Sequence, residues 1–245
     1  MDSLLVFFIG FFAGFIGSIA AGGGLISIPG LIFVGANPIT AIATTRLNVI
    51  AGGSVSLYKY AKANVVLWKF LTPLIIPAVI AGILGPKLLI GIDEEMVQRL
   101  LGATLLLTVP IFWFKKDAGT IRKKRSNRRV LFGIPIITVI LFYGVMFGAA
   151  AGIFLIYAFI YFYGMTVIQA RATSSAIGLF ATLIAVISYI NFGVIDWKLG
   201  LPLIIGGMIG SYYGANTALK KGNEWVKILL TVIVIVSGIK LLIWA

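Results

Sequence analysis

The chain has 245 residues, of which 60% are hydrophobic and 11% are charged, and its formal net charge is +13. This composition lies outside the range of soluble globular domains and predicts a membrane protein. The chain contains no cysteine and no histidine, which excludes disulfides, thiol chemistry, haem ligation and the usual zinc sites. We therefore expect no cofactor and no bound metal.

Hydrophobic runs long enough to cross a bilayer, which takes roughly 17 to 25 residues, recur along the chain. They are Leu4–Ala20, Ala36–Tyr58, Leu67–Ile90, Val97–Phe114, Val130–Phe147, Met165–Ile190, Leu199–Leu219 and Val226–Ala245. Two other runs, Leu25–Val34 and Ile153–Tyr163, are too short to cross alone. The sequence predicts an all-α integral membrane protein, a polytopic helical bundle in which these two runs form short or broken helices near the midplane of the lipid bilayer.

One connection between spans is strongly basic and divides the chain. Its charged residues are Lys115, Lys116, Asp117, Arg122, Lys123, Lys124, Arg125, Arg128 and Arg129. A basic loop between spans is typical of the cytoplasmic face, and a patch for nucleic acid or lipid headgroups is the less favoured interpretation. We predict a first membrane repeat over 1–114, a cytoplasmic linker over 115–129 and a second membrane repeat over 130–245, with no nucleic-acid partner.

The two repeats match at an offset of 129 residues. The clearest match is Trp68-Lys-x-x-x-Pro-Leu-Ile-Ile, which recurs from Trp197 as Trp-Lys-x-x-x-Pro-Leu-Ile-Ile. The same offset pairs Gly35 with Gly164, Ala41 with Ala170, Thr44 with Thr173 and Gly85 with Gly214. The sequence therefore indicates a duplicated half.

The charges of the loops favour inverted halves over parallel ones. In the first half the connection that begins near Lys59 is basic and the next, Asp93–Glu95, is acidic. In the second half the connection near Asp196 is neutral and the next, which begins near Lys220, is basic. Because basic loops favour the cytoplasm, we predict inverted-topology repeats in a multi-pass protein of the cell membrane with both termini outside.

Glycines suggest where helices break. The consecutive glycines at 22–24 cost roughly 1 kcal/mol each relative to alanine in a helix, so we predict a break there. In the second half, Gly144, Gly148 and Gly152 lie four residues apart on one helical face. At these three glycines we expect close packing of helices instead of a break.

Each half carries one arginine in a run of small and hydroxyl residues. An arginine inside a bilayer costs from about 2.5 to above 10 kcal/mol, so Arg46 and Arg171 suggest a site for an anion. At the common offset Arg171 corresponds to Ile42, one helical turn before Arg46, so that both guanidinium groups can face one cavity. The alternative is that both side chains snorkel to the membrane interface.

The hydroxyl residues add neutral donors to this predicted site. Pro38 suits the first turn of a helix, which would place a helix N-terminus near Thr44 and Thr45, where free amides and the helix dipole favour an anion. No acidic residue falls in the middle of a predicted span, which argues against a cation pump. The candidate substrate-binding residues are Arg46, Arg171, Thr44, Thr45, Thr173, Ser174, Ser175, Asn48 and Gln169.

Several of these elements together resemble a known family. A glycine run from Gly14 to Pro29 is followed by Gly35 and Ala41-x-Ala43-Thr44, and these recur as Gly164 and Ala170-x-Ala172-Thr173-Ser174 before Gly193-Val-Ile-Asp196-Trp197. In this order they resemble the TauE/SafE sulfite exporter family of membrane permeases over nearly the whole chain. The resemblance implies a permease for small sulfur-containing anions such as sulfite, sulfonates or thiosulfate.

The sequence thus predicts a transporter of small anions that works by alternating access between the two halves. A passive anion channel is one alternative, and a non-transporting membrane assembly factor is another. An enzyme is disfavoured because no histidine, cysteine or mid-membrane carboxylate is present to carry acid–base, nucleophilic or metal chemistry. Association into a homodimer is left open by the sequence.

Overall fold

A computed structural model describes residues 2–97, 99, 100, 119 and 126–244. Within these ranges the chain is helical and has no β-strand, and the predicted all-α class is confirmed. Four helices in the same ranges are long and apolar enough to cross a membrane, namely Ser3–Ala20, Trp68–Ile90, Asn127–Met146 and Val167–Asn191. Most of the predicted span Val97–Phe114 and of the linker 115–129 falls outside the described residues.

The described helices follow one another in the order that the hydrophobic runs predict. They are α1 (Asp2–Ala20), α2 (Gly24–Phe33), α3 (Pro38–Lys62), α4 (Ile75–Ile90), α5 (Asn127–Met146), α6 (Ala151–Tyr163), α7 (Val167–Asn191) and α8 (Trp197–Trp244). Two single 3-10 turns, Trp68–Phe70 and Thr72–Leu74, precede α4, and α8 bends at Gly222. The two short runs are confirmed as the short helices α2 and α6.

The sequence repeat is visible in the bounds of the long central helices. Helix α7 begins and ends 129 residues after the corresponding ends of α3. Both helices start from a side-chain cap, which satisfies amides that lack an intrahelical acceptor. Asn37 accepts a hydrogen bond from the Thr40 amide at 2.8 Å, and Thr166 forms a capping box with Gln169.

Each half contains a break between its first helix and its short helix. Between α1 and α2 the chain turns at Ala21, whose φ is +56°, and this confirms the break predicted at the glycine triplet. Between α5 and α6 it turns at Gly148 (φ +73°) and Ala150 (φ +62°). The prediction of simple helix packing at Gly148 is therefore wrong, because its positive φ is incompatible with a continuous α-helix.

Two matching hydrogen bonds join the halves. The Thr44 hydroxyl oxygen accepts from the Asp196 amide at 3.0 Å, and the Thr173 hydroxyl oxygen accepts from the Leu67 amide at 3.1 Å. Each residue of the first bond lies 129 positions from its counterpart in the second, which is the pattern that an approximate two-fold relation between the halves would give. Thr44, near the start of α3, contacts the segment that follows the end of α7, and Thr173, near the start of α7, contacts the segment that follows the end of α3. Helices α3 and α7 therefore run antiparallel.

Helices from opposite halves also pack closely along α1 and α8. A Cβ added at Gly10 or Gly14 would overlap the carbonyl of Leu203 or Gly207, and one added at Gly210 would overlap the Phe11 carbonyl. Contacts advance in the same direction along both helices, so α1 and α8 are parallel. Small residues permit this backbone approach in membrane helices, where the hydrophobic effect between helices is weak.

Candidate functional site

A cavity of roughly 150 Å³ lies between the two halves. Its walls come from α1, α2, α3, α5, α6 and α7, with Ser211 of α8 completing one side. Six pairs of lining positions are related by the repeat offset, namely Gly23 and Gly152, Thr45 and Ser174, Arg46 and Ser175, Val49 and Gly178, Gly52 and Ala181, and Gly53 and Thr182. The cavity is therefore lined by corresponding positions of both halves.

The two helix breaks meet at this cavity. A Cβ added at Gly24 would lie 2.9 Å from the Gly148 carbonyl oxygen, and one added at Gly152 would lie 2.6 Å from the Ala21 Cβ. The first residues of α2 and of α6 line the cavity. Since the first amides of a helix have no intrahelical acceptor and lie at the positive end of its dipole, two helix N-termini converge on the same space.

Arg46 reaches from α3 to the break in the other half. Only 4% of its surface is exposed, and its guanidinium lies against Gly148, where an added Cβ would be 2.6 Å from Nη2 and 2.8 Å from Nη1. The side chains of Tyr143 and Tyr189 lie near it. Its Nε and Nη2 atoms are buried and have no hydrogen-bond acceptor among the described residues.

Arg171 reaches from α7 to the break in the first half and is paired. Its Nε and Nη2 atoms both donate to the Gly17 carbonyl, at 3.1 and 2.6 Å. The Tyr60 ring lies beneath it, with 5.9 Å from Cζ to the ring centroid. Arg171 is 7% exposed, so both arginines are buried within the protein, and this burial argues against the snorkelling alternative.

Two neutral side chains beside the arginines also have buried polar atoms without partners. Thr45 Oγ1 and Asn48 Oδ1 have no hydrogen-bond partner in the described part of the chain, and both residues line the cavity. An unpaired polar group in an apolar interior costs about 1–3 kcal/mol. The cavity thus holds several groups whose hydrogen bonding a polar ligand would complete.

The charge of the cavity is positive. Arg46 and Arg171 line it, and none of the described residues that line it is acidic. The described carboxylates of Asp93, Glu94 and Glu95 are exposed, while Asp196 caps the start of α8 by accepting from the amides of Lys198 and Leu199 at 2.8 and 3.2 Å. A buried charge without a counter-ion is costly, and an anion entering the cavity would offset that cost.

Six of the nine predicted site residues are brought together. Arg46, Thr45, Asn48, Arg171, Ser174 and Ser175 line the cavity. Thr44 and Thr173 instead form the two hydrogen bonds between the halves, and Gln169 belongs to the cap of α7. These three residues are not among those that line the cavity.

The helix N-termini that face the cavity are not those that the sequence predicts, which are the starts of α3 and α7. The cavity receives the starts of the short helices α2 and α6, whereas the starts of α3 and α7 are closed by their own caps. The signal was present in the glycine triplet, because a helix that restarts after a break presents free amides. In the second half, the spacing of Gly144, Gly148 and Gly152 fits helix packing equally well, so the sequence does not reveal the break there.

The chain matches a family model described as "Sulfite exporter TauE/SafE" over residues 6–241. A "Probable membrane transporter protein ORF9" from a Sinorhizobium species is 28% identical and covers 97% of this chain and 91% of its own length. A "Probable membrane transporter protein" from Haemophilus influenzae is 29% identical, with 91% and 88% covered. The "Probable membrane transporter protein YfcA" of Escherichia coli K12 is 27% identical, with 97% and 88% covered. No solved structure matches the chain.

Proposed function

Since the chain belongs to the TauE/SafE sulfite exporter family and is a multi-pass membrane transporter, we propose that it carries small sulfur-containing anions across the membrane. Sulfite, thiosulfate and small sulfonates are the substrate class. The observation that carries this proposal is the buried, unpaired guanidinium edge of Arg46 in a cavity lined by no acidic residue.

The substrate would be held by three kinds of donor. Arg46 offers Nε and Nη2 as a planar fork, which suits two oxygens of one oxyanion. Thr45 and Ser175 supply hydroxyl groups, and Asn48 supplies its side-chain N–H groups. Ser174 also lines the cavity, but its hydroxyl donates to the Arg171 carbonyl at 2.9 Å. Arg171 and the starts of α2 and α6 add positive potential around the same space, where the low dielectric strengthens it.

Alternating access is the proposed mechanism of transport. The antiparallel arrangement of α3 and α7 supports inverted halves, since helices related in this way would cross the membrane in opposite directions. Rocking of the halves about the cavity would expose it to one face at a time. We propose that the linker 115–129 is cytoplasmic and that both termini are outside.

Thermal unfolding of the purified protein tests the substrate class. Sulfite, thiosulfate, sulfate and small sulfonates are added separately, with sodium chloride at matched ionic strength as the control. A ligand at 100 times its Kd stabilises the folded state by about 2.7 kcal/mol, so we expect a rise in the unfolding temperature with at least one sulfur oxyanion. If no sulfur anion raises that temperature above the chloride control, the substrate assignment is wrong.

Uptake into liposomes of pure protein tests the mechanism. A carrier gives a flux that saturates with substrate concentration, whereas a channel gives one that does not. An assembly factor would move no substrate in either case. We expect saturable flux that falls when Arg46 is replaced by alanine, with the unfolding temperature of that variant checked in the same detergent.

A further inference from the structure

The two arginines of the cavity have different bonding, and this difference is unusual in an arrangement that is otherwise nearly symmetric. Tyr60 donates to the Ser18 carbonyl at 2.6 Å, and its counterpart Tyr189 donates to the Val145 carbonyl at 2.9 Å. The acceptors of the two tyrosines are 127 positions apart (145 − 18), so these bonds are only approximately equivalent, whereas the hydrogen bonds of Thr44 and Thr173 match at the full offset of 129. Bonds that occur in both halves favour neither half over the other.

The bond from Arg171 to Gly17 has no such counterpart. The residue 129 positions before Arg171 is Ile42, which is fully buried and has no polar side-chain atom. Arg171 therefore ties α7 to the last turn of α1 on one side of the axis alone. The Gly17 carbonyl lies just before the break between α1 and α2.

We propose that Arg171 is a latch that sets the resting orientation of the transporter, and that Arg46 is the arginine that binds the anion. This rests on the proposed function. In a carrier whose halves exchange conformations, an interaction present in one orientation alone shifts the population toward that orientation. A hydrogen bond from a charged donor changes such an equilibrium by about tenfold to a hundredfold.

The absence of cysteine makes the orientation measurable. A single cysteine is introduced by Ser56→Cys, at a cavity-lining position of α3. The protein is reconstituted in liposomes, and a membrane-impermeant thiol reagent is applied to one face or the other. The ratio of labelling rates from the two faces reports which side the cavity faces.

Arg171→Ala and Arg46→Ala are compared in this background. We expect one-sided labelling for the parent, a ratio at least about tenfold closer to equality for Arg171→Ala, and an unchanged ratio for Arg46→Ala. Sulfite and thiosulfate affinities, measured by thermal shift, should fall for both alanine variants, because each removes a positive charge from the cavity. They should fall further for Arg46→Ala, which also removes the two donors that have no acceptor. Arg171→Lys keeps the charge but loses the planar fork, so it should shift the ratio in the same way and serves if the alanine variant does not fold.

Three results would overturn the latch. They are equal labelling from both faces in the parent, an unchanged ratio after either Arg171 substitution, and a loss of affinity in Arg171→Ala as large as that in Arg46→Ala. Failure of the proposed function is distinguishable from these. It would appear as no binding of any sulfur anion by the parent, while the labelling ratios would still report on the latch.

Discussion

The contact between Gly148 and Arg46 gives the sharpest test of the binding site. In Gly148→Ala the new methyl group would lie 2.6 to 2.9 Å from Nη2, Nη1 and Cζ of Arg46. Real Cβ atoms do not approach other heavy atoms so closely, and Arg46 is 4% exposed, so its guanidinium must be displaced from the cavity wall. Losing hydrogen bonds from a charged group costs about 1.5–3 kcal/mol, which corresponds to about a 10- to 100-fold loss of affinity.

A second glycine separates this effect from backbone strain. Gly148 has a φ of +73°, so alanine there also costs about 1–2 kcal/mol of stability. Gly193 has a φ of +67° and nothing within 4 Å of an added Cβ. Gly193→Ala should therefore lose a similar amount of stability while its affinity for sulfite or thiosulfate is unchanged.

The assay is a ligand titration followed by thermal unfolding of both variants in the same detergent. We expect the unfolding temperatures of Gly148→Ala and Gly193→Ala without ligand to fall by similar amounts, and the affinity to fall in Gly148→Ala alone. Equal affinities in the two variants would show that the position of Arg46 does not matter for binding. That result would refute the assignment of Arg46 as the ligand.

Three further predictions follow from other contacts. Thr44→Val and Thr173→Val each leave an amide without its acceptor and should lower the free energy of unfolding, measured by denaturation in detergent, by about 1–3 kcal/mol. The control Thr217→Val should change this free energy little, because the Thr217 hydroxyl bonds within its own exposed turn. A strongly unequal effect of Thr44→Val and Thr173→Val would contradict the two-fold relation. Gly210→Ala should destabilise the protein by about 1–3 kcal/mol, because the added methyl group would overpack against α1. The control Gly178→Ala, where an added Cβ has nothing within 4 Å, should stabilise the protein by up to about 1 kcal/mol. Similar unfolding temperatures for these two variants would argue against the close approach of α1 and α8. Asn48→Asp adds a carboxylate to the cavity and should lower anion affinity by about tenfold or more. The control Asn191→Asp, at the exposed end of α7, should leave anion affinity unchanged. Equal anion-titration curves for these two variants would remove Asn48 from the site.

The sequence repeat predicted the elements well because both halves fold by the same local rules. The offset read from Trp68 and Trp197 carries the bounds of α3 onto those of α7 without adjustment. Hydrophobic length identified α2 and α6 as helices too short to cross alone. These properties depend on residue type and spacing, which the sequence contains directly.

The choice of site residues was less complete because a run of polar residues was treated as one face. Successive helical residues point about 100° apart, and Thr44 lies outside the arc of α3 that faces the cavity. The lining residues of α3 are Thr45, Arg46, Asn48, Val49, Gly52, Gly53 and Ser56, which leaves Thr44 free to bond across the halves.

The second break was missed for a different physical reason. A turn with positive φ favours glycine, yet Ala21 and Ala150 adopt this conformation where tertiary packing holds them. Glycines in a membrane helix serve packing and breaking alike, and their spacing does not decide between them. Comparison of the two halves would have helped, since a break in one copy of a duplicated unit predicts a break in the other.

The close parallel packing of α1 against α8 makes each half depend on the other for its stability. The first helix of the amino-terminal half lies along a helix of the carboxy-terminal half, and α4 in turn packs on α5 and α7. A half-length ancestor expressed alone would have left these surfaces uncovered, so it would have existed as two intertwined copies.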